Sequence, residues 1–101
     1  MQGARTMDEY IRILNDILDE LADLRAAIEY DEEFMEGSMN LVVPLEEGVR
    51  TLLADIDAGT YEFAVGELEF VERAKNTNEL LLPFKTLFLR IDATHRQGLE
   101  Q

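Results

Sequence analysis

The apolar positions of this chain fall into runs with helical spacing, separated by short polar breaks. The first run is the most regular. Met7, Leu14, Leu21 and Ile28 form one row at a constant interval, and Tyr10, Ile17 and Leu24 form a second. Together they are the a and d positions of about three heptads. Ile11 and Leu18 widen the stripe, as suits a bundle helix with more than one neighbour. Thr6 stands where an N-cap belongs, and Glu9 follows at capping-box spacing. The pattern predicts a helix over 7–29, ending within 29–37. Residues 1–6 are then expected as a disordered tail, with Met7 a candidate second start.

The second run, Val42, Leu45, Val49, Leu52 and Ile56, repeats the a/d spacing and predicts a helix over 41–58. Pro44 fits its first turn or kinks its start. Gly48 lies inside the pattern and costs about 1 kcal/mol against alanine, so it marks close packing. Gly59 has the place of a helix-ending glycine.

Residues 61–75 read two ways. As a helix, Tyr61, Ala64, Val65, Leu68 and Val71 share one face, while Phe63, Gly66, Phe70 and Ala74 line the other. As strands, 61–72 makes a hairpin turning at Gly66-Glu67. The helix is preferred, because a lone hairpin is marginally stable and its surroundings are helical. Asn76-Thr77-Asn78 breaks the chain, and a last helix is expected over 79–97. Its stripe is Leu80, Phe84, Leu87, Phe88 and Ile91, with Leu81, Leu82 and Leu89 off the stripe. Pro83 bends this helix or delays its start. Residues 98–101 read as a frayed end. The expected fold is all-α: a single antiparallel bundle of three to four helices over 7–97.

Composition narrows the chemistry. The 101 residues carry 22 acids and 9 bases, a formal charge of −13, with no Cys, no Trp and one His. Disulfides, thiol chemistry and Cys-based zinc sites are excluded. A surface this negative does not neutralise nucleic-acid phosphates, so nucleic acid is not an expected partner. No apolar run reaches a membrane span, and the N-terminus has no secretory core, so cytoplasm is the expected compartment. The charge is uneven: −8 over 1–36, −7 over 37–72 and +2 over 73–101. The last helix is therefore the electrostatic partner of the others.

Few motifs carry chemistry. Asp31 to Gly37 fails the calcium-loop pattern, with Met35 and Glu36 where a ligand and a glycine belong, and Asp55-Ile56-Asp57 also stops short. His95 lies on the last helix near its end, where positive charge is favourable. Ser38 sits in no nucleophile-elbow pattern. A chorismate-mutase type of site would need several inward cations, and Arg12 and Arg25 lie off the core rows.

Carboxylates recur at helical spacing in Glu29/Glu32, Glu33/Glu36 and Glu69/Glu72. Two such pairs on neighbouring helices can hold Mg²⁺, which then takes substrate phosphates. In this the chain resembles the all-α nucleotide pyrophosphohydrolases, which use Glu-x-x-Glu followed by Glu-x-x-Asp. The resemblance implies a Mg²⁺-dependent hydrolase using Glu29, Glu32, Glu33, Glu36, Glu69 and Glu72. Here the later pair ends in Glu, and no cluster of bases stands near to bind a triphosphate.

The apolar surplus points elsewhere. Phe63 and Phe70 on the second face of 61–75, with Leu81, Leu82 and Leu89, exceed what one face per helix can bury. The leading expectation is a non-enzymatic interaction module without cofactor, an adaptor or small chaperone-like homodimer. It would dock partners through these five residues, with acidic flanks steering basic partners.

Overall fold

A computed structural model describes residues 3–30, 35–79 and 82–99, with side chains given for all of these except 35–39. Within them the chain forms α1 (Met7–Tyr30), α2 (Met35–Ala58), α3 (Glu69–Lys75) and α4 (Lys85–Gln97). α1 packs on α2 and α4, and α3 packs on α2 and α4, closing a ring of four helices. The fold is all-helical, as the spacing predicts.

α1 starts as a cap should. The Thr6 hydroxyl accepts from the Glu9 N–H at 3.1 Å, and the Glu9 carboxylate reaches back to the Arg5 N–H at 3.1 Å. The reciprocal bond thus lands one residue before the cap, a variant of the capping box. Tyr10, Leu14, Ile17, Leu21 and Ile28 are buried as the heptad rows require, joined by Ile13. α2 starts at Met35, before the expected 41, so Pro44 lies inside the helix and not in its first turn, where it leaves one backbone hydrogen bond unmade. Val42, Leu45, Val49 and Leu52 are buried against α1 and its neighbours. Gly48 has the close contact its place suggests: a Cβ there would run into the Phe70 side chain. Gly59, at φ 76°, ends α2. Its N–H bonds the Ile56 carbonyl and that of Thr60 bonds the Asp55 carbonyl, the pairing of a Schellman cap.

Three further elements depart from the sequence pattern. The expected helix over 61–75 shrinks to 69–75, and 61–68 is neither helix nor hairpin. Ala64 (φ 63°) and Gly66 (φ 69°) are left-handed, which no α-helix tolerates. The irregular path lets Tyr61 and Phe63 reach Tyr10 while Phe70 and Val71 turn into the core. The expected helix over 79–97 begins at Lys85, after Pro83, whose ring restricts the residue before it. Leu80 and Leu81 lie outside the described residues. Third, residues 3 and 4 are buried, where a loose tail is expected. Ala4 is fully buried and its N–H donates to the Thr94 hydroxyl at 2.8 Å, which itself donates to the Arg90 carbonyl. At the other end Leu99 packs on the core after Gly98 closes α4.

Candidate functional site

Of the five residues expected to dock partners, two belong to the core. Phe70 is 7% exposed, set edge-on to Phe88 at 6.2 Å, and Leu82 is fully buried. Neither offers surface, because α3 and the turn before α4 place them between helices. Phe63 is half-buried, 5.0 Å from Tyr61 and 5.8 Å from Tyr10. Leu89 is half-buried, and Leu81 lies outside the described residues. The apolar surplus is therefore mostly spent inside the bundle. Among the described residues, the large apolar side chains left exposed are Tyr30 and Val65.

Of the glutamate pairs, three members have described side chains: Glu29, Glu69 and Glu72. Glu29 is exposed in the last turn of α1 and Glu69 is exposed at the start of α3. Glu72 is engaged with Lys75 and Arg96, each at 3.4 Å. Glu32 and Glu33 lie outside the described residues, and the side chain of Glu36 is likewise not described. Ser38 is in the same position. Among the described residues no group of three or more His, Asp or Glu side chains could hold a metal ion.

The densest polar cluster is one that spacing does not reveal. His95, 3% exposed, sits in the last turn of α4. Its Nε2 lies 2.9 Å from the Gly66 carbonyl and its Nδ1 lies 2.7 Å from the Tyr61 hydroxyl. Tyr61 in turn lies 2.9 Å from the Tyr10 hydroxyl. A carbonyl can only accept, so Nε2 carries the hydrogen and Nδ1 accepts from Tyr61. Tyr61 then accepts from Tyr10. Burial, and donation to Tyr61, push the Tyr10 phenol well above its usual value. Burial also raises Tyr61, against the opposing effect of the bond it accepts. Both phenols therefore stay protonated at neutral pH, and the chain of bonds is a hold on the 60–68 segment. The signal in the sequence was His95 on an apolar stripe, but its partners are 29 and 34 residues away.

Charge is sorted by face. Four of the nine bases are tied to carboxylates within the bundle. Arg25 makes two bonds to Glu46, at 3.0 and 2.7 Å, Arg90 bonds Glu9 at 2.9 Å, and Arg96 bonds Asp92 at 2.9 Å. Lys75 bridges Glu72 and Asp92, each at 3.4 Å. Burial pushes Asp92 up, but its bonds and charge contacts with Arg96 and Lys75 outweigh that and hold its carboxyl below the usual value. The outer face of α1 is the opposite case. Asp16, Asp19, Glu20 and Asp23 are all exposed and form no ion pair with any described residue. Their spacing makes them i,i+3 and i,i+4 neighbours, so they repel each other by a few tenths of a kcal/mol per pair, roughly. Asp8, Glu9 and Asp16 also edge a cleft of about 520 Å³, together with Arg12 and Arg90.

Among the described residues no helix is long and apolar enough to cross a membrane. Set against models of known families, curated proteins and solved structures, the chain matches none.

Proposed function

We propose that this protein is a non-enzymatic interaction module of the cytoplasm, adaptor- or chaperone-like, that docks a basic protein segment on the outer face of α1. The observation that carries this reading is the sorting of charge. Arg25, Lys75, Arg90 and Arg96 are tied to internal carboxylates, while Asp16, Asp19, Glu20 and Asp23 form no ion pair with any described residue and share one exposed face. That face costs stability through self-repulsion, and a cationic partner removes the cost. The cleft beside Asp16 gives a long basic side chain a place to enter. Phe63 and Leu89 are the described members of the expected apolar docking set that are only half-buried. Homodimerisation through the α1 face is opposed by like charge, since each copy carries −13.

Fluorescence anisotropy with a Lys/Arg-rich helical peptide and an acidic peptide of equal length tests this reading. The basic peptide binds at low salt, weakens steeply as salt rises, and loses binding to the D16K/D19K/E20K/D23K variant. Circular dichroism checks that the variant stays helical. Equal binding by the variant, or no binding of the basic peptide at low salt, would reject the reading. Light scattering on the same samples reports whether a dimer forms.

A further inference from the structure

The outer face of α1 does not carry one sign of charge throughout. Asp8, Arg12, Asp16, Asp19 and Asp23 follow one another along it at steps of three or four residues, so they form one stripe, and all are exposed. From the N-terminal end the signs run minus, plus, minus, minus, minus. Arg12 stands one turn from Asp8 and one turn from Asp16. It forms an ion pair with neither, nor with any other described residue. Its side chain lines the cleft of about 520 Å³ between α1 and α4, together with buried Ile13, Thr6 and Arg90. Arg90 is already held by Glu9 at 2.9 Å, so Arg12 is the guanidinium of this cleft that is open to a ligand.

We propose that the segment docked on α1 is a basic helix whose run of cations is broken once, by a carboxylate one turn in from its end, and that Arg12 receives that carboxylate. This rests on the reading of the α1 face as the docking surface for a basic segment. A purely basic segment laid along the stripe sets one cation against Arg12, where it is repelled. A segment that stops short of Arg12 leaves Asp8 without a partner. A carboxylate at that place pairs every member of the stripe: a cation on Asp8, the carboxylate on Arg12, and cations on Asp16, Asp19 and Asp23. Thr6 adds a donor. Its oxygen accepts from the Glu9 N–H, and its own hydrogen can go to the carboxylate.

The spacing favours a helix as the occupant. A helix repeats its charges at about 6 Å for every four residues, as the stripe itself does. An extended segment advances roughly 6.8 Å for every two residues, and so drifts out of register by about 3 Å between Asp8 and Asp23. Net charge then sets how strongly the face attracts, and charge order sets which segment it keeps.

Fluorescence anisotropy at low salt with end-blocked, Lys-rich helical peptides tests the charge order. The peptides carry either Glu or Gln at one position, placed one turn in from either end or at the centre. Each is titrated into the wild type and into Arg12→Gln, whose helicity is checked by circular dichroism. At an end position, replacing Arg12 lowers the preference for Glu over Gln by about two- to fivefold, the size of one exposed ion pair. At the centre the preference changes much less. In the wild type the Arg12 Nε–H resonance moves with the end-Glu peptide and stays in place with the end-Gln peptide. This NMR reading decides if Arg12→Gln does not fold. Equal changes at the ends and the centre, or no change at either, overturn the proposal and leave the docking face standing. No binding of any of these peptides rejects the face, and the proposal with it.

Discussion

The α1–α2 hairpin and the 60–99 half of the molecule are held together in different ways. In the hairpin, residues that repeat along each helix meet their counterparts across one seam: Leu14, Ile17, Leu21 and Ile28 on α1, Val42, Leu45 and Val49 on α2. Its one cross-helix ion pair among the described residues is Arg25–Glu46. In the other half, α3 has seven residues and α4 thirteen, too short to stand alone. They bury Phe70, Val71, Phe88 and Ile91 in the shared core, and to this they add polar bonds that converge on the last two turns of α4. Thr94 fastens Ala4, His95 fastens Tyr61, Ala64 and Gly66, and Asp92 ties Lys75 and Arg96. Periodic burial can be read from a local pattern. Convergent bonds between distant residues cannot.

The junction between the two halves gives the sharpest test. On helix propensity alone, Gly48→Ala should stabilise α2 by about 1 kcal/mol. Phe70 of α3 fills the space where that Cβ would go. Overpacking wins, and Gly48→Ala is expected to destabilise by about 1 to 3 kcal/mol in urea unfolding. A stabilised variant would mean that α3 rests on α2 loosely, and the contrast between the halves would fail.

This junction also shows what the sequence reveals. Gly48 inside a heptad pattern signals close packing, but not that Phe70 is the neighbour. Phe70 and Leu82 read as surplus apolar surface because helices over 61–75 and 79–97 would be apolar on two faces. The actual breaks, at Ala64, Gly66 and Pro83, turn that surplus inward. Left-handed backbone at an alanine has no local signature. The acidic face of α1 follows from the apolar pattern, since a helix with core rows at 14, 17, 21 and 28 leaves 16, 19, 20 and 23 outside. That these carboxylates lack internal partners was not, because ion pairing depends on which bases α3 and α4 bring near.

A smaller effect probes the 60–68 strap. Ala64 is exposed, so removing its Cβ sacrifices little packing, and glycine adopts φ 63° without strain. Ala64→Gly is expected to raise stability by about 0.5 kcal/mol, less than the strain relieved because glycine also loosens the unfolded chain. Thermal unfolding measures it. A loss of stability would mean that the strap is not held against its preference.

The smallest effect concerns the ion pairs of α3 and α4. The Asp92 carboxyl is held below its usual value of 3.8, so its contribution to stability is complete above that value. As pH falls through the lower value of the folded state, the carboxylate is protonated and the contribution is lost. Asp92→Asn should therefore flatten the acid limb of the stability curve below about pH 4, and do nothing to its slope near neutrality. A slope difference near neutrality would place the titrating group elsewhere.

The account rests most on the outer face of α1 as the docking surface. NMR shift mapping with a Lys/Arg-rich peptide at low salt tests that directly. The predicted result is a set of shifts confined to Asp16, Asp19, Glu20, Asp23 and the neighbouring cleft, with the amides of Phe70 and Leu82 unmoved. Shifts centred on α3 or the end of α4, with the α1 face silent, would contradict it.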